Sequence, residues 1–245
     1  MTDLLSLRRE IMRKKLLMFL FVSMMTFTLA ACNTETSSTN KQSNTETASK
    51  NSAAVVKKSE IKKILIVYFS RVGNTNFSND VDALASASIR IENKKLTGNT
   101  QVIANMINKS VGGDVFEITT VKTYPVNYRD TTDLAKQEQK SNARPKLSSH
   151  VKGMENYDVV FLGYPDWWGT IPMPVYTFLE EYDFSGKSIV PFSTHEGSGL
   201  GSSVRDIKKL CPDSNILDGL EVLCSNVTNA QSDVENWLKK NGITE

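Results

Sequence analysis

Histidine and cysteine are scarce in this 245-residue chain, at two and three residues. Neither His150 nor His195 has a second imidazole or thiol at metal-ligand spacing, so no metal centre is expected. Charge is nearly balanced, 29 basic residues against 27 acidic, which excludes the basic footprint of a nucleic-acid-binding protein. Gly-Lys-Ser/Thr, the signature of a nucleotide triphosphate loop, is missing, and the first polar loop lacks the three spaced glycines of a dinucleotide site.

What is present begins with an export signal. Arg13-Lys14-Lys15 precede the apolar run "LLMFLFVSMMTFTLA", too short for a comfortable membrane span, which ends in Leu29-Ala30-Ala31-Cys32. That ending resembles a bacterial lipobox, so residues 1–31 are expected to be removed and Cys32 to carry a lipid. Upstream, either Met12 is the true start or Arg8 to Arg13 forms a loose twin-arginine signal, with the first reading favoured. Residues 32–60, rich in Asn, Thr, Ser, Lys and Glu, read as a disordered tether with a reach on the order of 30 Å. Without residues 1–31 the balance becomes 24 basic to 25 acidic, so steering by net charge is not expected.

The remainder, 61–245, alternates strand and helix. "ILIVYF" at 64–69, "DVVFLG" at 158–163 and "SIVPF" at 188–192 are continuous apolar runs, as strands covered on both faces require. "DVFEIT" at 114–119 suits an edge strand, and "LEVLCSNV" from Leu220 supplies a fifth. Between them Val102, Ile103, Met106 and Ile107 share a helical face, as do Val175, Phe178, Leu179 and Tyr182, then Val204, Ile207 and Cys211, then Ala230, Val234, Trp237 and Leu238. Alternation of this kind implies parallel strands joined by right-handed helical crossovers. Residues 128–142 are helical in composition but weakly apolar, and are expected to be a solvated face rather than part of a site.

Open sheets of this class bind ligands beyond the carboxyl ends of their strands. After the first strand, Ser70, Arg71, Val72, Gly73, Asn74 and Thr75 offer side-chain donors and convergent amides for a phosphate monoester, or form a tight polar turn. After the third, Pro165, Asp166, Trp167, Trp168 and Gly169 place at least one indole near solvent or a flat heterocycle, unless both pack on the following helix. After the fourth, Ser193, Thr194, His195, Glu196, Gly197, Ser198 and Gly199 let backbone approach a ring edge, with a flexible linker as the bland alternative. His195 either bonds a ligand or is structural; His150 is not expected to take part. Cys211 and Cys224 either pair or stand as separate buried residues, with the second favoured.

Three segments in order, "VYFSRVGNT", "GYPDWWGTIPMPVYTFLEEYDFSGK" and "PFSTHEGSG", resemble the flavodoxin family, in its bacterial flavodoxin-like branch with an insertion after the phosphate loop. The resemblance runs from about Lys62 to the C-terminus. It implies an α/β three-layer sandwich, a five-stranded parallel sheet in the order 2-1-3-4-5, and FMN as cofactor. It further implies that Ser70 to Thr75 hold the phosphate, Pro165 to Gly169 flank the isoalloxazine ring with Trp167 or Trp168 stacking, and Ser193 to Gly199 meet its other edge. Three features depart from the family pattern. Residues 78–98 separate the phosphate loop from its helix and are either a lid or surface decoration; Arg71 either adds its charge to the phosphate or points to water; and the chain is not acidic. The implied function is electron transfer with a redox partner protein or small-molecule acceptor, the membrane being met through the lipid anchor only. Alternatives are an FMN-dependent NAD(P)H oxidoreductase reducing quinones or nitro compounds, and a flavin-free binding lipoprotein.

Overall fold

β1 (Ile64–Phe69) is buried at five of its six positions, as an unbroken apolar run predicts for a strand covered on both sides. The computed structural model to which it belongs describes residues 62–77, 81, 84, 88–92 and 94–245. The expectations for the signal segment, Cys32 and the tether lie outside the described residues. Among the described residues no helix is long and apolar enough to cross a membrane.

Beyond β1 the chain forms an antiparallel hairpin, β2 (Ile89–Glu92) with β3 (Lys95–Gly98), and passes directly into α1 (Asn99–Val111). β4 (Asp114–Ile118), α2 (Tyr128–Ser141), β5 (Val159–Pro165), α3 (Met173–Glu181), β6 (Ser188–His195) and α4 (Ser203–Leu210) follow. The fifth position of the sheet is split into β7 (Asn215–Ile216) and β8 (Leu220–Leu223), before α5 (Gln231–Lys240) closes the chain. All sheet pairings except the hairpin are parallel, and the order β4-β1-β5-β6-β7, with β8 also on β6, is the expected 2-1-3-4-5 arrangement with a divided last strand. β4 stands at the edge, where its interrupted apolar pattern placed it.

Alternate side chains of β1 enter two cores. Leu65, Val67 and Phe69 pack with Val175, Phe178 and Leu179 of α3 and Ile207 of α4, while Ile66 and Tyr68 pack with Ile103 and Ile107 of α1 and Val234, Trp237 and Leu238 of α5. The three layers are thus written in the period-two alternation of the central strands and the helical spacing of their partners. Gly163 in β5 leaves room for the Phe192 ring of β6, which a Cβ there would overlap. Cys211 and Cys224 are both buried and unbonded, the favoured one of the two expectations.

β1 and β5 are neighbours, but the chain leaves their carboxyl ends toward opposite sides of the sheet, to β4 and to β6. This switch point opens a crevice at the crest, and it is there that the three polar loops converge.

Candidate functional site

The first loop is a buried turn held by its own hydrogen bonds. Val72–Asn74 form a single 3-10 turn behind Ser70 and Arg71, both 1% exposed. The Gly73 amide already serves an anion, because it hydrogen-bonds the Glu117 carboxylate of β4, and a Cβ on Gly73 would overlap that group. Burial raises the Glu117 pKa, with bonds from Tyr68 and Gly73 opposing it. The Asn74 side chain is a buried staple. Its Nδ2 donates to the carbonyls of Ser70 (2.8 Å) and Ile118 (2.9 Å), and its Oδ1 accepts from the Thr120 amide (2.7 Å) and hydroxyl (3.0 Å). Arg71 is buried rather than turned to water. Its Nη2 donates to the carbonyls of Pro125 (3.1 Å) and Val126 (2.6 Å), and its guanidinium lies 5.0 Å from the Phe77 ring. Val72 to Asn74 thus form a tight polar turn, while Ser70 stands beside Gly98 and Arg71 borders a cleft with Asp166 and Trp167.

A second Gly-Asn-Thr stands at a helix start beside the first loop. Gly98-Asn99-Thr100 repeats Gly73-Asn74-Thr75, and the hairpin β2–β3 brings it to the start of α1 beside Ser70. A Cβ on Gly98 would overlap Ser70 Oγ, so only glycine allows this approach. No side chain caps α1, and its first turn has no acidic residue, which leaves amide dipoles facing the crest without a competing negative charge. The sequence shows the repeated tripeptide but not which copy meets Ser70.

Hydroxyls gather at the same place. Thr194 at the end of β6 lies 2.8 Å from Thr100 Oγ1 and 3.1 Å from Ser88 Oγ, and the Asn99 amide donates to the Ser88 carbonyl at 2.9 Å. Ser88 is buried with φ of 57°, so the insertion contributes to the crest itself rather than only decorating the surface. Asn99 Oδ1 and Ser193 Oγ are buried without a hydrogen-bond partner, as are Thr75 Oγ1 and Asp166 Oδ2. Natural proteins rarely leave such atoms unsatisfied. A polyhydroxylated chain ending in phosphate, which offers donors and acceptors in turn, suits this set.

The second loop separates its two indoles. Trp167 packs edge-on against Phe69 (centroids 5.4 Å apart) and Tyr124 (5.1 Å), pinned by backbone bonds between Trp167 and Thr170. Trp168, with φ of 58°, is 51% exposed and lies on the preceding helix α2, donating from Nε1 to the Thr132 carbonyl at 2.9 Å with Lys136 Nζ 4.6 Å from its ring. Trp168 is thus the indole expected near solvent, and the alternative of both packing on the following helix does not hold. Asp166 Oδ1 accepts from the Gly169 amide (3.0 Å).

The third loop is locked to the second rather than acting as a linker. Ser202 donates to the Gly169 carbonyl from both its amide (2.8 Å) and its hydroxyl (2.9 Å), while Asp206 accepts from Thr170 (2.8 Å), Tyr176 (3.1 Å) and Ser202 (3.1 Å). Burial opposes ionisation of Asp206, but these hydroxyls outweigh it and lower its pKa. Gly197 and Gly199 both have positive φ, at 119° and 62°, and the Gly197 amide donates to His195 Nδ1 at 2.9 Å. When the ring is neutral its proton therefore sits on Nε2.

Two clefts of the described residues share a wall. One, of about 200 Å³, is lined by Ser88, Pro165, Thr194 to Glu196, Ser198 and Cys224; the other, of about 290 Å³, by Arg71, Thr131, Thr132, Ala135 and Trp168. Tyr128, Asp166 and Trp167 border both. The N-terminal half of α2 thus faces the site, contrary to the expectation of a purely solvated helix. Its polar composition reflects cleft-lining threonines as well as solvent. No group of three or more potential metal ligands occurs among the described residues.

Burial raises the Asp166 pKa, against stabilising bonds from Gly169 and Ser198 and the nearby His195. A carboxyl raised in the folded state favours folding below its unfolded pKa, and that contribution is lost as pH rises through the folded value. Asp166→Asn, which mimics the neutral form and keeps the Gly169 bond, is therefore expected to melt higher than the parent at pH 7. The difference should close as pH falls below about 4. Parallel melts at the two pH values test this; a lower midpoint at pH 7 would show that the carboxylate is a net stabiliser.

A doubly wound sheet with an anion-ready helix start and two locked crest loops defines a mononucleotide-binding class of α/β protein. The flavodoxin family profile matches residues 88–241, and the chain belongs to the flavodoxin family. Among solved structures it is similar to a flavoprotein candidate from Bacteroides eggerthii, with 28% identity, a TM-score of 0.57, and coverage of 75% of this chain and 99% of that one. A second candidate, from Bacteroides uniformis, gives 25% identity, a TM-score of 0.56, and coverage of 73% and 98%. A Lactobacillus acidophilus flavoprotein solved in complex with FMN shares the fold at 20% identity and a TM-score of 0.51, covering 72% of this chain and 98% of its own. No curated protein matches the sequence.

Proposed function

We propose that this chain binds FMN across the crest and acts in electron transfer at an extracytoplasmic membrane surface, tethered by a lipid on Cys32. The observation that carries the reading is the start of α1, uncapped and free of acidic residues, with Gly98 set against Ser70 at the switch point of a flavodoxin-family sheet. Ser70, Gly98, Asn99 and Thr100 would hold the phosphate, and the unpartnered Ser193 and the Thr194 hydroxyl would meet the ribityl chain. The ring would lie between the Pro165–Gly169 and His195–Gly199 loops, with Trp167 as a wall and His195 Nε2 available as a donor at its edge. Bound FMN supplies one- and two-electron redox chemistry. Asp166 and Glu196 set its electrostatic surroundings: negative charge there disfavours an anionic reduced ring and lowers the potential. Asp166→Asn is accordingly expected to raise the midpoint potential in a spectroelectrochemical titration.

Titrating the purified chain with FMN and with riboflavin tests the reading. FMN fluorescence should be quenched with a Kd at least tenfold below that of riboflavin, a phosphate contribution of about 1.4 kcal/mol. Equal affinities would refute the assigned phosphate site, and no quenching would refute the flavin. In bacterial cells expressing the full chain, Cys32→Ser should leave the membrane fraction; unchanged retention would reject the anchor.

A further inference from the structure

Asp206 borders neither cleft of the crest, yet both loops that would flank the ring come to rest on its carboxylate. It stands in the first turn of α4, with its side chain 13% exposed. Three hydroxyl oxygens lie within hydrogen-bond distance of its Oδ2: Thr170 at 2.8 Å, Tyr176 at 3.1 Å and Ser202 at 3.1 Å. Thr170 is 4% exposed and joined by paired backbone bonds to Trp167, the wall of the ring site. Ser202 holds Gly169 from its amide, and its single hydroxyl proton lies between Asp206 and the Gly169 carbonyl. Between the two loops, Gly201 comes so close that a Cβ on it would overlap the Gly169 carbonyl. Tyr176 fixes the same carboxylate to α3, with the Arg144 guanidinium 5.1 Å from its ring.

We propose that Asp206 is a positioning residue for the flavin ring, setting from outside the site the gap between the loop of Trp167 and the loop of His195 to Gly199. The inference rests on the flavin reading and deepens it by naming what holds the ring slot in shape. A planar ring gains most from a slot already at its width, because loops that close only on binding lose conformational freedom at that moment and affinity falls. A carboxylate suits the task. Ionised, it only accepts, and its two oxygens take several donors at once.

Charge on Asp206 is balanced where it stands, with Arg205 Nε 3.3 Å and Lys209 Nζ 3.7 Å from Oδ1. The effect of removing the carboxylate is therefore one of geometry more than of charge. Alanine at this position leaves the buried Thr170 hydroxyl without its acceptor and breaks the link that joins Thr170 to Ser202. The phosphate end, at Ser70 and the start of α1, is set by the close approach of Gly98 instead. Only the part of the affinity that comes from the ring should respond.

The full chain and its Asp206→Ala, Thr170→Val and Thr170→Ser variants are titrated with FMN and with riboflavin, alongside circular dichroism and a thermal melt of the flavin-free protein. Asp206→Ala should weaken both ligands by the same factor, about tenfold or more, leaving the ratio of the two affinities within about twofold of the parent. Gly98→Ala, by contrast, should change that ratio. Thr170→Val should weaken both ligands about threefold or more, and Thr170→Ser, which keeps the hydroxyl, should bind both within about twofold of the parent. Should Asp206→Ala not fold, the Thr170 pair decides the matter in the same two titrations. A folded Asp206→Ala with parent affinity for both flavins and only a lower melting midpoint would reduce the clamp to a structural role and overturn the proposal. So would a loss confined to FMN, or Thr170→Ser binding as weakly as Thr170→Val. Failure of the flavin reading is read separately, as absence of FMN quenching in the parent chain.

Discussion

Gly98→Ala is expected to weaken FMN binding by at least tenfold while leaving the fold intact. The backbone at Gly98, φ −80° and ψ 139°, suits any residue, so the substitution carries no conformational strain of its own. What it adds is a Cβ in the space of Ser70 Oγ, and only 3.0 Å from Ser70 Cβ. The serine hydroxyl must rotate away, and a methyl group then stands before the first amides of α1. A phosphate would lose a hydroxyl donor and its close approach to the helix start together, and charge-assisted bonds of this kind contribute about 1.5–3 kcal/mol each. Isothermal titration with FMN, with circular dichroism as a check on folding, measures the effect. Parent-like affinity would move the phosphate elsewhere on the crest.

Asn74→Ala should do the opposite, lowering stability by about 3 kcal/mol while leaving the folded protein able to bind FMN within a few-fold of the parent. Four hydrogen bonds end on this one buried amide, and they join the end of β1 to Ile118 and Thr120 just beyond β4. Alanine leaves two carbonyls and an amide in the interior without partners. At about 2–4 °C per kcal/mol for a chain of this size, the thermal midpoint should fall by roughly 6–12 °C. A fall under 2 °C would mean that water or a shifted turn replaces the staple. The two variants together separate the two Gly-Asn-Thr copies, one expected to govern binding and the other stability.

The contrast also shows how far the residues could be read without coordinates. Apolar runs at 64–69, 158–163 and 188–192 became three adjacent central strands because burial on both faces leaves no polar position in a strand, and that pattern is local. The helical faces at Ile103/Ile107, Phe178/Leu179 and Val234/Leu238 were legible for the same reason. Ser70 and the loops at Asp166 to Trp168 and Thr194 to Ser198 stand out in the sequence because polar, glycine-rich stretches at strand ends have few structural uses. Nothing local marked Gly73 as the partner of Glu117, 44 positions along the chain, or showed that Arg71 reaches under the loop to Pro125 and Val126. Tyr128, Thr131 and Ala135 were missed because a helix face that lines a cleft has the same mixed composition as one that faces water.

The amino-acid order by itself determined the layers, the strand sequence and the three loops that rise at the crest, since each depends on periodicity and on residues within a few positions of one another. Tertiary structure alone decided which copy of Gly-Asn-Thr meets Ser70, and that a hairpin of the insertion carries it there. Two identical tripeptides have the same local preferences. Only the carboxylate of β4 behind one and the open start of α1 behind the other make them chemically different.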